Sequence, residues 1–488
     1  MSTSIRDLHP RSLWGHFEQI CQIPHPSKHE EKLRDYLVAF GRRHELETVV
    51  DGVGNVILRK PATTGMERRA VVCLQGHMDM VPQKNEETVH DFLVDPIRPR
   101  IDGEVVRATG TTLGADNGIG VAAILAVLEA KDLAHGPLEA LITVDEEAGM
   151  TGAKGLEGGL LRAEYLLNLD SEDEEEICVG CAGGIDTTVT VPAPREALPA
   201  GFAAFELKLS GLRGGHSGVD IALGRGNSNV LVARMLFEAF GAHDVRVVAI
   251  EGGNLRNVIP RETRATLAVP AARAADVKAL LEGAAAAIRK EFAEADPDIR
   301  FELRPVEPPK DAIRAHEGRQ LVRALFACPN GPAFMTPGMP NLAETSTNLA
   351  SIRTGPDAVT ITTLQRSSQE TRKLELAHRV RATFELAGGR AEHGGAYSGW
   401  NPNLKSPLLQ RMAALHEKRF GRKPVITATH GGLECGIIMG NYPDLDAVSI
   451  GPTMKFPHSP DEHVYIASVG RFWDYLVELL GEIPEKRA

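Results

Sequence analysis

The chain has no apolar run of the roughly 18 residues that a bilayer-spanning helix needs, which argues against a helical membrane span. Met1 to Pro10 likewise has no apolar core of the kind a secretory signal carries. Cysteine is scarce. Six in 488 residues do not make a disulfide framework, and Cys178 and Cys181 form a lone C-x-x-C with no second pair to complete a zinc ribbon, so they read as structural. No G-x-x-x-x-G-K-[ST] occurs, and Gly152-Ala153-Lys154-Gly155 has the wrong spacing for a phosphate loop. His29-Glu30, His44-Glu45 and His416-Glu417 lack the second histidine of a one-metal zincin helix. Positive charge is in deficit: a net charge of −11 argues against a nucleic-acid or membrane-surface partner. What remains is a globular composition, 43% hydrophobic and 24% charged, suited to a reducing cytoplasm. At 488 residues the chain is too long for one core, so two or three domains are expected.

The stretch around which the rest is organised runs from Ala70 to Val81. It opens as an apolar, β-branched run, the signature of a buried strand, and ends in His77 and Asp79. Residues i and i+2 of a strand share a face, so the two side chains can lie together. A carboxylate beside an imidazole is the usual setting of a metal-ligating histidine. A surface histidine in a βα loop would look the same, and the motif alone does not decide.

Ser27-Lys28-His29-Glu30 has the form of a capping box opening a helix through Leu33, Leu37 and Phe40. Asp51 to Asn55 reads as a hairpin turn. Asn117 to Lys131 is apolar nearly all round, hence a buried helix. Leu138–Val144 and Tyr165–Leu169 read as strands that run into Asp145-Glu146-Glu147 and Asp170. Strands alternating with helices indicate an α/β sheet with its chemistry at the strand ends. From about Thr187 the texture becomes that of half-solvated antiparallel strands, beginning with Phe205, Leu207 and Leu209. A shorter version of this pattern recurs from Arg300, so the segment reads as an inserted α+β domain of two related halves. The expected organisation is a first domain of residues 1–186, an insert of 187–399, and a return to the first domain over 400–488.

Five possible ligands, His77, Asp116, Glu147, Asp170 and His458, occupy strand ends or the loops after them. Two imidazoles and three carboxylates suit zinc or manganese. Five ligands with one carboxylate shared suit two ions about 3.5–4 Å apart. The plainer alternative makes Asp116 a helix cap and Asp170 the start of a solvated acidic turn. Neighbours near a strand end point in different directions, so Glu147 could bind metal while Glu146 faces a water acidified by the ions. Glu146 is then the expected general base, passing the proton to a leaving amine.

Four segments, Gly76-His77-Met78-Asp79-Met80-Val81, Thr112 to Gly118, Asp145 to Met150 and Asn168 to Glu172, together resemble the M20 metallopeptidases, most closely their aminoacyl-histidine dipeptidase branch. The resemblance covers nearly the whole chain. It implies a catalytic domain with a mixed, largely parallel sheet flanked by helices, of zinc-peptidase type, plus an inserted α+β lid. It also implies that His77, Asp116 and Asp170 bind one divalent ion and Asp116, Glu147 and His458 the other, with Asp116 bridging. Asp79 would orient His77, and the Asp116–Asn117 peptide would be cis. Zinc is the expected metal, with manganese or cobalt also suited to the set.

In the insert, Gly214-Gly215-His216-Ser217-Gly218 resembles the family's lid segment whose histidine stabilises an oxyanion. Asn257 and Arg366 look like substrate-binding positions, since an arginine fork suits a free C-terminal carboxylate. Glu434 is a candidate partner for a substrate's amino terminus. The insert is roughly twice the size of the lid in many relatives. The second half would then stand where a partner's lid would lie, so that His216 acts in its own chain. The expectation is a cytoplasmic, homodimeric dipeptidase acting on unblocked Xaa-His (carnosine-like) dipeptides. An N-acyl amino acid deacylase or carboxypeptidase of the same superfamily is the alternative.

Overall fold

The computed structural model describes residues 4–486. The chain forms two compact units. The first holds the described residues up to Gly180, with Pro402–Ala428 and Leu433 onward, and the second holds Cys181–Asn401 and Thr429–Gly432. The second thus takes in residues 181–186, because Gly183–Pro192 is a strand of its sheet.

The first unit is α/β. Its sheet runs in the order Glu47–Val50, Val56–Lys60, Leu138–Thr143, Val72–His77, Tyr165–Asn168, Asp446–Ser449, Glu176–Cys181 and Val425–Thr429. The four central strands, from Leu138–Thr143 to Asp446–Ser449, pair in parallel and are buried throughout. Burial on both faces explains their continuous apolar runs. His77 lies opposite Thr143, and Gln75 opposite Asn168. The segments after these strands therefore leave from one end of the sheet.

Helix Ala115–Glu129 packs against Arg11–Cys21 and is buried along almost its whole length. Its first residues depart from helical geometry. Asp116 has ψ 108°, and the Asp116–Asn117 peptide is cis, so the Asp116 carboxylate does not follow the helical path. A small antiparallel sheet orders Met454–Lys455, His463–Tyr465, Val105–Arg107 and Arg100–Asp102. Its first two strands close the loop that carries His458. No described helix is long and apolar enough to cross a membrane.

Two local expectations fail. The helix after Ser27 starts at Glu31, with no side-chain cap. The Ser27 hydroxyl donates instead to Asp79 Oδ2 at 2.8 Å, and Glu30 Oε1 accepts from the backbone of Lys28 and Asp145. Glu146 and Glu147 do not diverge as strand neighbours. The strand ends at Thr143, Asp145 turns the chain with φ 53°, and both acids open a short helix, Glu146–Gly149.

The second unit is a sheet with four helices packed on it around an apolar core that includes Leu207, Leu236, Leu267, Leu281, Leu321 and Phe384. Phe202–Ser210, Arg246–Gly252, Thr263–Pro270 and Arg300–Val306 lie side by side in the order fourth, first, third, second. Gly183–Pro192, Ala343–Thr354, Ala358–Ser367 and Arg390–Tyr397 lie in the order second, third, first, fourth, the same path read backward. Each set has a helix after its first strand and another after its third, a βαββαβ pattern. The two sets meet where Glu251 and Gly252 pair with Arg353 and Ile352. Arg300–Val306 closes the first set, pairing with Phe202–Ser210, rather than opening the second.

Candidate functional site

Three parallel strands and two loops deliver the acids and imidazoles to one place. His77 ends its strand, Glu146 and Glu147 follow the next, and Asp170 follows the third. His77 Nε2 lies 3.1 Å from Asp116 Oδ1 and 3.4 Å from Asp170 Oδ1. His458 Nε2 lies 3.2 Å from Asp116 Oδ2 and 3.0 Å from Glu147 Oε2. One oxygen of Asp116 thus faces each imidazole. Two groups of potential ligands result, His77–Asp116–Asp170 and Asp116–Glu147–His458, each with its donor atoms within 4.8 Å of one another. Glu146 also has an oxygen within that distance of donor atoms of His77 and Glu147.

Asp79 stands behind His77, with Oδ1 3.3 Å from Nδ1. Its carboxylate also accepts the backbone N–H groups of Glu146 and Glu147 at 2.9 and 3.2 Å. Burial alone would raise its pKa. His77, the Ser27 hydroxyl and the Glu146 amide outweigh that and hold it at about 2. Across the centre the pattern is one of surplus negative charge. Burial, with Asp116 adding to it, pushes Asp170 up to about 8. Contacts with Asp116 and Glu147 push His458 up to about 11. Against the effect of burial, Asp170, Asp116 and Asp79 raise His77 well above its usual value.

This site fits divalent cations. Its donors are imidazole nitrogens and carboxylate oxygens, as zinc and manganese prefer. Buried Glu147 Oε1 also has no hydrogen-bond partner among the described residues, and a buried oxygen in that state needs an explanation such as an ion.

Glu434 is buried at the start of helix Glu434–Asn441, where Gln75 Nε2 and Thr143 Oγ1 donate to Oε2 at 2.7 and 2.6 Å. Its Oε1 has no hydrogen-bond partner, and burial raises its pKa to about 7.

In the second unit, His216 and Arg366 come together. His216 Nδ1 accepts the backbone N–H groups of Gly218 and Val219 at 3.2 and 3.3 Å, which places the ring proton on Nε2. Burial, then Arg366, lowers its pKa, so the ring is neutral. Arg366 Nη1 donates to Tyr397 Oη at 3.0 Å, and Nη2 lies 3.4 Å from His216 Nε2. Asn257 joins through its backbone carbonyl, which accepts from Ser217 N–H at 2.8 Å, while its side chain is exposed.

Sequence reasoning took Ser27 for a helix cap and assigned no role to Tyr397, His430 or Glu462. His430 Nε2 meets Ser346 Oγ at 2.7 Å, and Glu462 accepts four backbone N–H groups before and at Asp116. Of these last three, Glu462 left a trace, as an acid in the segment that holds His458.

Residues 73–482 match the model of Peptidase family M20/M25/M40. The chain is 46% identical over 484 residues to the cytosol non-specific dipeptidase of Escherichia coli (strain K12), covering 99% of this chain and 100% of that one. The crystal structure of aminoacylhistidine dipeptidase from Vibrio alginolyticus superposes with a TM-score of 0.95 at 47% identity, covering 99% of each chain. Aminopeptidase PepT from Bacillus cereus, at 17% identity and a TM-score of 0.56 over 98% of this chain and 99% of that one, shares the fold. With most of its length under the family model and an end-to-end relative at nearly half identity, this chain belongs to Peptidase family M20/M25/M40.

Proposed function

We propose that this protein is a cytoplasmic, metal-dependent dipeptidase that hydrolyses unblocked dipeptides, Xaa-His among them. The observation that carries the reading is the Asp116 carboxylate, one oxygen toward His77 and the other toward His458. The family membership and the two dipeptidase relatives support the substrate class.

His77, Asp116 and Asp170 would hold one ion and Asp116, Glu147 and His458 the other, with zinc the first candidate and manganese or cobalt also suited. Such ions would supply Lewis acidity toward the scissile carbonyl and acidify a water. Asp79 fixes the His77 ring by facing Nδ1, so that Nε2 is turned toward Asp116 and Asp170. Glu146 is the general base, a carboxylate near the ligand atoms that takes a proton and delivers it to the leaving amine. Glu434 has an unpartnered buried oxygen suited to a substrate ammonium group, which favours a free amino terminus over an N-acyl group. In the second unit, which we assign as a lid, the Nε2–H of His216 suits an oxyanion, Arg366 a C-terminal carboxylate, and Asn257 a further polar contact with substrate. The protein is assigned as a homodimer, and the doubled size of its insert, a departure from many relatives, supports His216 serving its own chain.

The decisive experiment is Glu146→Gln, assayed for both metal content and turnover. Two ions should remain bound while kcat falls about 10²–10⁴-fold. Ordinary turnover by that variant would remove Glu146 from the role. Hydrolysis of β-Ala-His but not of an N-acetyl amino acid would separate the dipeptidase from the deacylase.

A further inference from the structure

Glu462 is a buried carboxylate, 2% exposed, that binds no cationic side chain and no hydroxyl in its described hydrogen bonds. Its partners are four consecutive backbone amides. Oε2 accepts Leu113 N–H at 2.7 Å and Gly114 N–H at 3.0 Å, and Oε1 accepts Ala115 N–H at 2.7 Å and Asp116 N–H at 3.3 Å. Such convergence requires a turn in the chain, which Gly114 supplies with φ 72°. Successive amides converging in this way form an anion-binding concavity, and here a side chain from the far end of the sequence fills it.

The opposite end of Glu462 is equally tied. Its own N–H donates to Ser459 O at 3.0 Å, closing the turn that follows His458. The next residues, His463–Tyr465, pair with Val105–Arg107, the strand that leads toward Asp116. Glu462 therefore ties the loop bearing Asp116 to the loop bearing His458 through the backbone that precedes Asp116. The cap position of helix Ala115–Glu129 is Gly114, which has no side chain, and Glu462 does that work from outside the helix.

We infer that Glu462 is a positioning residue of the metal centre, setting the placement of Asp116 relative to His458 before any ion arrives. This rests on the two-ion reading above. A purely structural helix cap would lower stability when removed and leave ion binding alone. A positioning residue would weaken the ion held by Asp116, Glu147 and His458 more than the ion held by His77, Asp116 and Asp170. In Glu462→Gln one oxygen becomes an NH₂ group that cannot accept the amides in front of it.

The test is equilibrium dialysis of zinc and of cobalt against wild type, Glu462→Gln and Glu462→Asp, with the visible spectrum of the cobalt forms. The control is Glu139→Gln. Glu139 is also buried, accepting Arg59 Nε and Arg162 N–H at 2.8 Å, but it lies early in its parallel strand, away from the ligand end. We expect the ion held by Asp116, Glu147 and His458 to bind about 10–100-fold more weakly in the Glu462 variants, and excess metal to restore much of their lost kcat. Glu139→Gln should lose stability and keep both affinities. Hydrogen exchange on metal-free wild type gives a second measurement that does not depend on a variant folding. The amides of residues 113–116 should be protected before metal is added. Folded Glu462 variants with two wild-type affinities, or amides 113–116 protected only after metal binds, would overturn the inference. A wild-type protein that binds no ions would instead overturn the two-ion reading.

Discussion

Asp79 accepts the backbone N–H of Glu146 at 2.9 Å with the same oxygen, Oδ1, that lies 3.3 Å from His77 Nδ1. One carboxylate oxygen therefore faces an imidazole on one strand, whose Nδ1 also meets the Asp79 backbone carbonyl at 3.1 Å, and accepts the first amide of the acid pair after the next. The other oxygen takes Glu147 N–H and the Ser27 hydroxyl. In Asp79→Asn, one acceptor becomes an NH₂ group facing donors, and at least one of these contacts is lost. Ion affinity should drop about 10–100-fold, the usual effect of removing a group that supports a ligating histidine. Stability should drop by about 1–3 kcal/mol for the buried donors left unpaired. Metal titration followed by calorimetry would measure both. Wild-type affinity in a folded Asp79→Asn protein would show that the Asp79 carboxylate does not support ion binding through His77.

Arg366 is 4% exposed, its guanidinium donates to the Tyr397 phenol and the Ser217 hydroxyl, and the His216 ring beside it is also uncharged. A buried cation among neutral partners is suited to a carboxylate from outside the chain. Arg366→Lys keeps the charge and loses the fork. Loss of about 1.5–3 kcal/mol of charge-assisted hydrogen bonding corresponds to KM rising about 10–100-fold for dipeptides, with a smaller change in kcat. Hydrolysis of the same dipeptides blocked as C-terminal amides should change little between the two proteins. Equal losses on free and amidated substrates would exclude Arg366 as the carboxylate clamp.

How much of this was legible beforehand depended on whether a residue's partner was local. The strand ending in His77 and the helix from Ala115 announce themselves by apolar runs, because the hydrophobic period is a property of the segment itself. The acids and histidines were legible as a set because metal chemistry uses few residue types. Ala343–Thr354 was not legible. It carries Glu344, Thr345, Ser346, Thr347 and Asn348, yet all five are buried. Their burial is made tolerable by partners far along the chain, such as Thr345 with Ser367 and Thr347 with Gln365. Ser27 failed for the same reason: its local pattern is that of a cap, and Asp79, a distant partner, takes the hydroxyl.

Removal of metal tests the charge balance directly. With His77 and His458 both driven toward protonation by the surrounding carboxylates, the ion-free centre calls for positive charge, and divalent ions meet that need. Dialysis against a chelator should abolish dipeptide hydrolysis and lower the apparent Tm. Readdition of zinc, manganese or cobalt should restore both. At an ion concentration about 100-fold above Kd, each site adds about 2.7 kcal/mol to the folded state. Thermal scans over a range of zinc concentrations would check this, and a Tm independent of zinc would count against a built site.

His430 provides a pH test away from the ligands. It is buried, and its Nε2 meets the Ser346 hydroxyl at 2.7 Å. Burial, reinforced by Arg366 and His216, lowers its pKa to about 3 in the folded protein. In the unfolded chain a histidine titrates near its ordinary value of about 6.5. Between those values the unfolded state binds a proton that the folded state does not, so the contribution of this group to stability falls as pH falls. It is fully present above about 6.5 and is lost progressively toward 3. His430→Gln removes the titration while its amide can still reach Ser346. The variant should be less stable than wild type at pH 7.5. Its deficit should shrink steadily as urea melts are repeated from pH 6.5 down to pH 4.5. A deficit that stayed constant or widened over that range would mean that His430 is protonated in the folded protein.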